Sequence, residues 1–122
     1  MKNILEYEKL DYVPIKLYHY TLSENIQSIE SDGVLRADSL GYVYLTETIE
    51  DSQAFVTTYA MIKGIDLKKF SIIEIDTSGE EIYLIDNLYI STDHNPKFFS
   101  NAKAIAHNGD LKVINFTEYN FY

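Results

Sequence analysis

His19 sits in the run Leu17-Tyr18-His19-Tyr20-Thr21, and Tyr44 sits in the run Tyr42-Val43-Tyr44-Leu45-Thr46. Both runs are rich in aromatic and β-branched residues, which marks strands, and each leads directly into a stretch with helical spacing. Two strand ends that feed helices can face one cleft, bringing an imidazole beside a phenol. An imidazole hydrogen-bonds a sugar hydroxyl, and a tyrosine ring stacks on an aromatic heterocycle. Main-chain groups after the histidine can grip a carboxamide. Together these features suit an aromatic amide joined to a ribose.

Other chemistries find no support in the residue types. His19, His94 and His107 lack the HxH or HxxxH spacing of a metal pair, so no metal site is expected. There is no cysteine, which removes thiolate metal sites, disulfides and cysteine nucleophiles together. Neither a P-loop nor GxGxxG occurs among the isolated glycines, and no GxSxG elbow is present.

The elements that must position the two runs read as follows. Val13–His19 is an opening strand, with Pro14 tolerated near its start. Thr21 and Glu24 match a capping box, Ile26 and Ile29 share a helical face, and Gly33 is placed to stop that helix. Gly41–Thr46 is a second strand. Thr48 with Asp51 caps a second helix, along which Phe55, Val56, Tyr59, Ala60 and Ile62 recur until Gly64. Phe70–Asp76 and Glu81–Ser91 are further strands joined through a turn at Ser78-Gly79. Pro96 breaks the chain, a short helix is expected around Phe99–Ala106, and Leu111–Phe116 closes the sheet. The order predicts an α+β fold with helices segregated along a split or strongly twisted sheet.

Length and composition bound the setting. The 122 residues suit one domain spanning 1–122, with 46% hydrophobic and 24% charged residues. No apolar stretch reaches the roughly 18 residues of a membrane span, and the N-terminus lacks a signal-peptide core, so a soluble, cytoplasmic protein is expected. The formal net charge is −9, and Arg36 is the only arginine. That balance disfavours a nucleic-acid backbone and favours a basic protein partner. Eleven tyrosines and six phenylalanines stand beside no tryptophan, a usage that suits a ligand cleft or an interface.

LYHYT, ENIQSIESDGVL and GYVYLTET, within Leu17 to Ala60, resemble the N-terminal half of the ADP-ribosyltransferase superfamily. That group includes poly-ADP-ribose polymerase-like enzymes, tRNA 2′-phosphotransferases, and small bacterial toxins and phage effectors. Its form is a strand carrying His then Thr or Ser, a helix ending "I…G-L", and a strand reading "(V/I)Y(L/F)(T/S/A)". The resemblance implies a compact α+β domain with a split sheet and two or three short helices, binding NAD and modifying a macromolecular target, expected to be a protein. It implies that His19 binds the NAD ribose and that the main chain at Tyr20 holds the carboxamide. Thr21 is the hydroxyl residue that follows. Tyr44 stacks on nicotinamide, with Tyr42 the alternative registration, and Phe55 or Tyr59 walls the other side.

The family's third motif is a late-strand acid that stabilises the positive charge developing at the ribose. Here Lys103 or Ala104 stands near its expected place, and no glutamate lies between Phe98 and Val113. Asp93 is the substitute of choice, ahead of Asp110 and Glu118. Without an acid in the cleft the same scaffold is a non-catalytic acidic protein, an inhibitor that blocks a basic partner. Read without the resemblance, His19 is a strand-end histidine satisfied by backbone. Phe55 and Tyr59 are then core residues, and Asp93-His94 a turn before Asn95-Pro96.

Overall fold

The computed structural model describes residues 8–9, 12–78, 87–91, 103–113 and 115–121. Nine strands and two α-helices run through it: β1 (Glu8–Lys9), β2 (Lys16–Leu22), α1 (Ile26–Asp32), β3 (Val34–Leu35), β4 (Tyr42–Leu45), α2 (Ile49–Lys63), β5 (Phe70–Asp76), β6 (Asn87–Ser91), β7 (Lys103–Asn108), β8 (Leu111–Lys112) and β9 (Phe116–Asn120). The class is α+β: the strand pairs are antiparallel, and the helices lie apart from one another in sequence.

The strands form one sheet in the order β1-β6-β7-β4, a second in the order β2-β5-β9, and a small β3-β8 pair. β5 is central, and its run FSIIEID does not alternate because both of its faces are covered. Phe70 and Ile72 pack with Val56 and Ala60 of α2. Ile73 and Ile75 face the other way, into a core with Leu17, Ile29, Val43, Leu45 and Ile105. Leu17, Ile73, Ile75 and Ile105 are fully excluded from solvent. Each such side chain contributes about 1.5–3 kcal/mol of transfer free energy.

The same alternation divides β2. Leu17 belongs to the first core, while Tyr18, Tyr20 and Leu22 pack on the α2 side. Between the two larger sheets, an isolated bridge joins Tyr18 to Thr46. Tyr18 N donates to Thr46 O and Thr46 N donates to Tyr18 O, each at 2.8 Å. Beyond that bridge β2 and β4 part.

Four sequence expectations need correction. The strand expected over Val13–His19 runs instead over Lys16–Leu22, because pairing with β5 continues to Leu22 opposite Phe70. Thr21 is therefore held extended and caps nothing; a 3₁₀ turn at Ser23–Asn25 leads into α1, whose N-terminus has no side-chain cap. Over Lys103–Ala106 the helix expected around Phe99–Ala106 is overturned by β7, which pairs with β4 and β6; 99–102 lie outside the described residues. The closing strand expected over Leu111–Phe116 divides into β8 and β9, which join different sheets.

Other features follow the sequence. Gly33 ends α1 at φ +65°, and Gly64 ends α2 at φ +67°, backbone that favours glycine. Thr48 Oγ1 accepts from Asp51 N at 3.1 Å, capping α2. At the turn after β5, Ser78 donates to Asp76 Oδ1; Gly79 and 81–86 lie outside the described residues. Among the described residues no helix is long and apolar enough to cross a membrane.

Candidate functional site

A cavity of about 140 Å³ opens where β2 and β4 separate, lined by Tyr18, His19, Tyr20, Tyr44, Leu45, Thr46, Ser52, Phe55 and Ala104. β2 supplies the first three, the end of β4 the next three, the first turns of α2 Ser52 and Phe55, and β7 Ala104. An apolar cavity of about 150 Å³ accepts one benzene ring. The space therefore matches a single six-membered ring.

His19 connects the two sheets a second time. Its Nδ1–H donates to the Tyr44 carbonyl at 2.7 Å, because a carbonyl can only accept. That bond fixes the tautomer, leaving Nε2 as an acceptor when the ring is neutral. Burial lowers the His19 pKa, opposed by the bond to Tyr44, so the ring is held neutral at ordinary pH.

The main chain at Tyr20 is presented by register. Because both polar groups of Tyr18 turn toward Thr46, those of Tyr20, two residues on, point off the same edge of β2. Antiparallel order sets Tyr44 across from that edge, and the Tyr44 carbonyl goes to the His19 ring instead of the Tyr20 main chain. An adjacent N–H and C=O there form a donor–acceptor pair matching a primary carboxamide. The Tyr20 ring is on the α2 side, 5.8 Å from the Tyr59 ring and 6.3 Å from Phe70. Burial, with the neighbouring Tyr59 adding a little, pushes its phenol up to about 12.

Ser52 and Thr46 supply a second polar element. Thr46 Oγ1 donates its one proton to Thr48 O at 2.7 Å. The 2.7 Å contact between Thr46 Oγ1 and Ser52 Oγ must then use the Ser52 proton, which leaves Ser52 Oγ with acceptor lone pairs. Both residues are buried. Sequence reasoning passed over Ser52, although it lies one turn before Phe55 on the same helix face.

The remaining candidates fall elsewhere. Thr21 lines an adjoining hollow of about 240 Å³ with His19, Asn25, Ser28, Asp32 and Arg36, so His19 borders both spaces. Tyr59 is outside the cavity, edge-on to Phe70 at 6.0 Å. Tyr42 packs beside Tyr44, ring centroids 6.3 Å apart, without lining the cavity. Asp93 and His94 lie outside the described residues.

Asp110 accepts from Ala37 N at 2.7 Å and from Arg36 at 3.2 Å; the Ala37 amide first and then Arg36 lower its pKa. It ties β8 to the chain after β3. Glu118 accepts from Ser71 at 2.7 Å. Neither lines the cavity, and no carboxylate does among the described residues. His107 is buried within β7, opposite Val43. No group of three or more metal-ligating side chains is found among the described residues.

Compared with known protein families, with curated proteins and with solved structures, the chain matches none. Its chemistry must be read from its own geometry.

Proposed function

We propose that the cavity between β2 and β4 binds the nicotinamide end of NAD, and that the protein is an NAD-dependent mono-ADP-ribosyltransferase acting on a basic protein. The observation that carries this is the convergence of His19, the Tyr20 main chain, Tyr44 and Phe55 on one ring-sized cavity. The residues fit that ligand. Tyr44 and Phe55 offer aromatic surface to the heterocycle, and the Tyr20 N–H and C=O suit the carboxamide. Ser52 Oγ accepts from an amide N–H, and neutral His19 accepts from a ribose hydroxyl at Nε2. The adjoining hollow, with His19 on its border and Thr21, Asn25 and Ser28 among its lining residues, suits the sugar.

When bound, NAD supplies an ADP-ribosyl group for transfer to a nucleophile on the target. The chain's own part is to hold the ring and its amide, to order the ribose through His19, and to attract the target with a net charge of −9. Asp93 is the proposed acid. The setting, an effector or toxin of a mobile element, follows from the family resemblance alone.

A specific observation favours a second reading: the cavity is lined by no carboxylate among the described residues. On that reading the protein binds the nucleotide, or blocks a basic partner, without transfer. Release of nicotinamide from NAD separates the two. Transfer predicts release that falls at least about a hundredfold in Asp93→Asn while NAD binding persists, since one aligned charge stabiliser is worth that much. Saturable NAD binding without release establishes the second reading, and absence of binding at millimolar NAD overturns both.

A further inference from the structure

Tyr18 has two jobs in this geometry. Its main chain makes the bridge to Thr46, and its side chain packs on the α2 side of β2, the side of Ser52 and Phe55, which share the cavity lining with Tyr18. The phenol is tethered. Tyr18 stands directly opposite Glu74 on β5, and its hydroxyl donates to Glu74 Oε1 at 3.0 Å. Tyr119 donates to the same oxygen at 3.3 Å, and Lys16 Nζ donates to Oε2 at 2.9 Å. The carboxylate thus collects three donors from two neighbouring strands.

The charges reinforce the arrangement. The Lys16 hydrogen bond is the main cause lowering the Glu74 pKa, with Tyr18 and Tyr119 adding to it against burial. Burial first, then Glu74, raises the Tyr18 phenol. At neutral pH the acceptor is ionised and the donor keeps its proton, so the bond has one direction. A tyrosine bonded at its tip in this way is held in one χ1 rotamer, because its hydroxyl must stay beside Glu74.

We propose that Glu74 is a positioning residue which, by holding Tyr18, sets the width of the cavity and so restricts it to single-ring amides. This rests on the cavity's assignment to the nicotinamide end of NAD, yet it concerns a residue that lines neither hollow. Tyr18 is the wall and Glu74 its anchor.

The test compares binding of nicotinamide and of 2-naphthamide, a fused two-ring amide, in the wild type, Tyr18→Phe, Glu74→Ala, Glu74→Gln and the Tyr18→Phe/Glu74→Ala pair. NMR three-bond couplings that report the Tyr18 χ1 rotamer are measured in the unliganded wild type and Glu74 variants. The wild type is expected to prefer nicotinamide. Tyr18→Phe and Glu74→Ala each reduce that preference about fivefold, the worth of one hydrogen bond. The double variant goes no further than either single, and Glu74→Gln, which keeps an acceptor in place, retains most of the preference. The single χ1 rotamer gives way to rotamer averaging in Glu74→Ala. Wild-type binding with a preference unchanged in the variants, or a Tyr18 χ1 rotamer unchanged in Glu74→Ala, overturns this role alone. Failure of the wild type to bind either probe overturns the cavity assignment and this role with it.

Discussion

His19 Nδ1 donates to the Tyr44 carbonyl across 2.7 Å, joining the two strands at the point where their sheets part. The bond spans the split, orients the imidazole, and leaves Nε2 as the acceptor beside the cavity. The candidate cavity and the sheet junction are therefore the same structure.

The pH dependence of stability follows from that histidine. Its folded pKa lies below the ordinary value of 6.5 because burial disfavours the charged ring. The unfolded chain takes up this proton first as pH falls, so the contribution of His19 is fully present above about pH 6.5 and is lost below it. Denaturation midpoints measured from pH 8 to pH 5 should fall more steeply for the wild type than for His19→Gln. Ligand affinity should decline only at lower pH, where the folded ring itself takes up a proton and loses its acceptor.

Ser52 gives a test of amide recognition. With its proton committed to Thr46, the Ser52 oxygen accepts from an N–H but repels a carboxylate. Nicotinamide should bind about tenfold more tightly than nicotinate, and Ser52→Ala should erase most of that difference. Titration of both ligands into both proteins decides it.

Ala104 tests the cavity by volume. It is small and packs beside Phe55 and Tyr42 on one face of β7. Ala104→Leu should fill the ring space and abolish nicotinamide binding without lowering the melting temperature. Undiminished affinity in a folded Ala104→Leu protein would place the ligand elsewhere.

The two threonines at helix starts should differ in stability experiments. Thr48→Ala removes a cap whose oxygen accepts from Asp51 N, and should cost about 1 kcal/mol in denaturant unfolding. Thr21→Val should cost less, because Thr21 belongs to β2 and caps no helix.

That contrast shows what local sequence could and could not disclose. Thr48 and Thr21 both carry the pattern of a cap, but the β2–β5 pairing extends past Thr21 and claims it for the sheet. Phe70–Asp76 was legible because its β-branched run is bounded by a lysine pair and a turn. β7 was hidden: Ala104 and Ala106 are good helix formers, and their small size answers to Phe55 and Tyr42, residues distant in sequence. His19 and Tyr44 could be picked out as aromatic-flanked strand residues. Ser52 looked like ordinary helix polarity, and its acceptor character depends on the proton held by Thr46.

The most direct test is an amide NMR titration of the protein with NAD, followed by the same titration of His19→Ala. Shifts should be saturable and centred on Tyr18–Thr21, Tyr44–Thr46, Ser52 and Phe55, with affinity at least tenfold weaker in the variant. Shifts centred on another surface, or none at millimolar NAD in a folded wild-type protein, would contradict the assignment of the β2–β4 cavity.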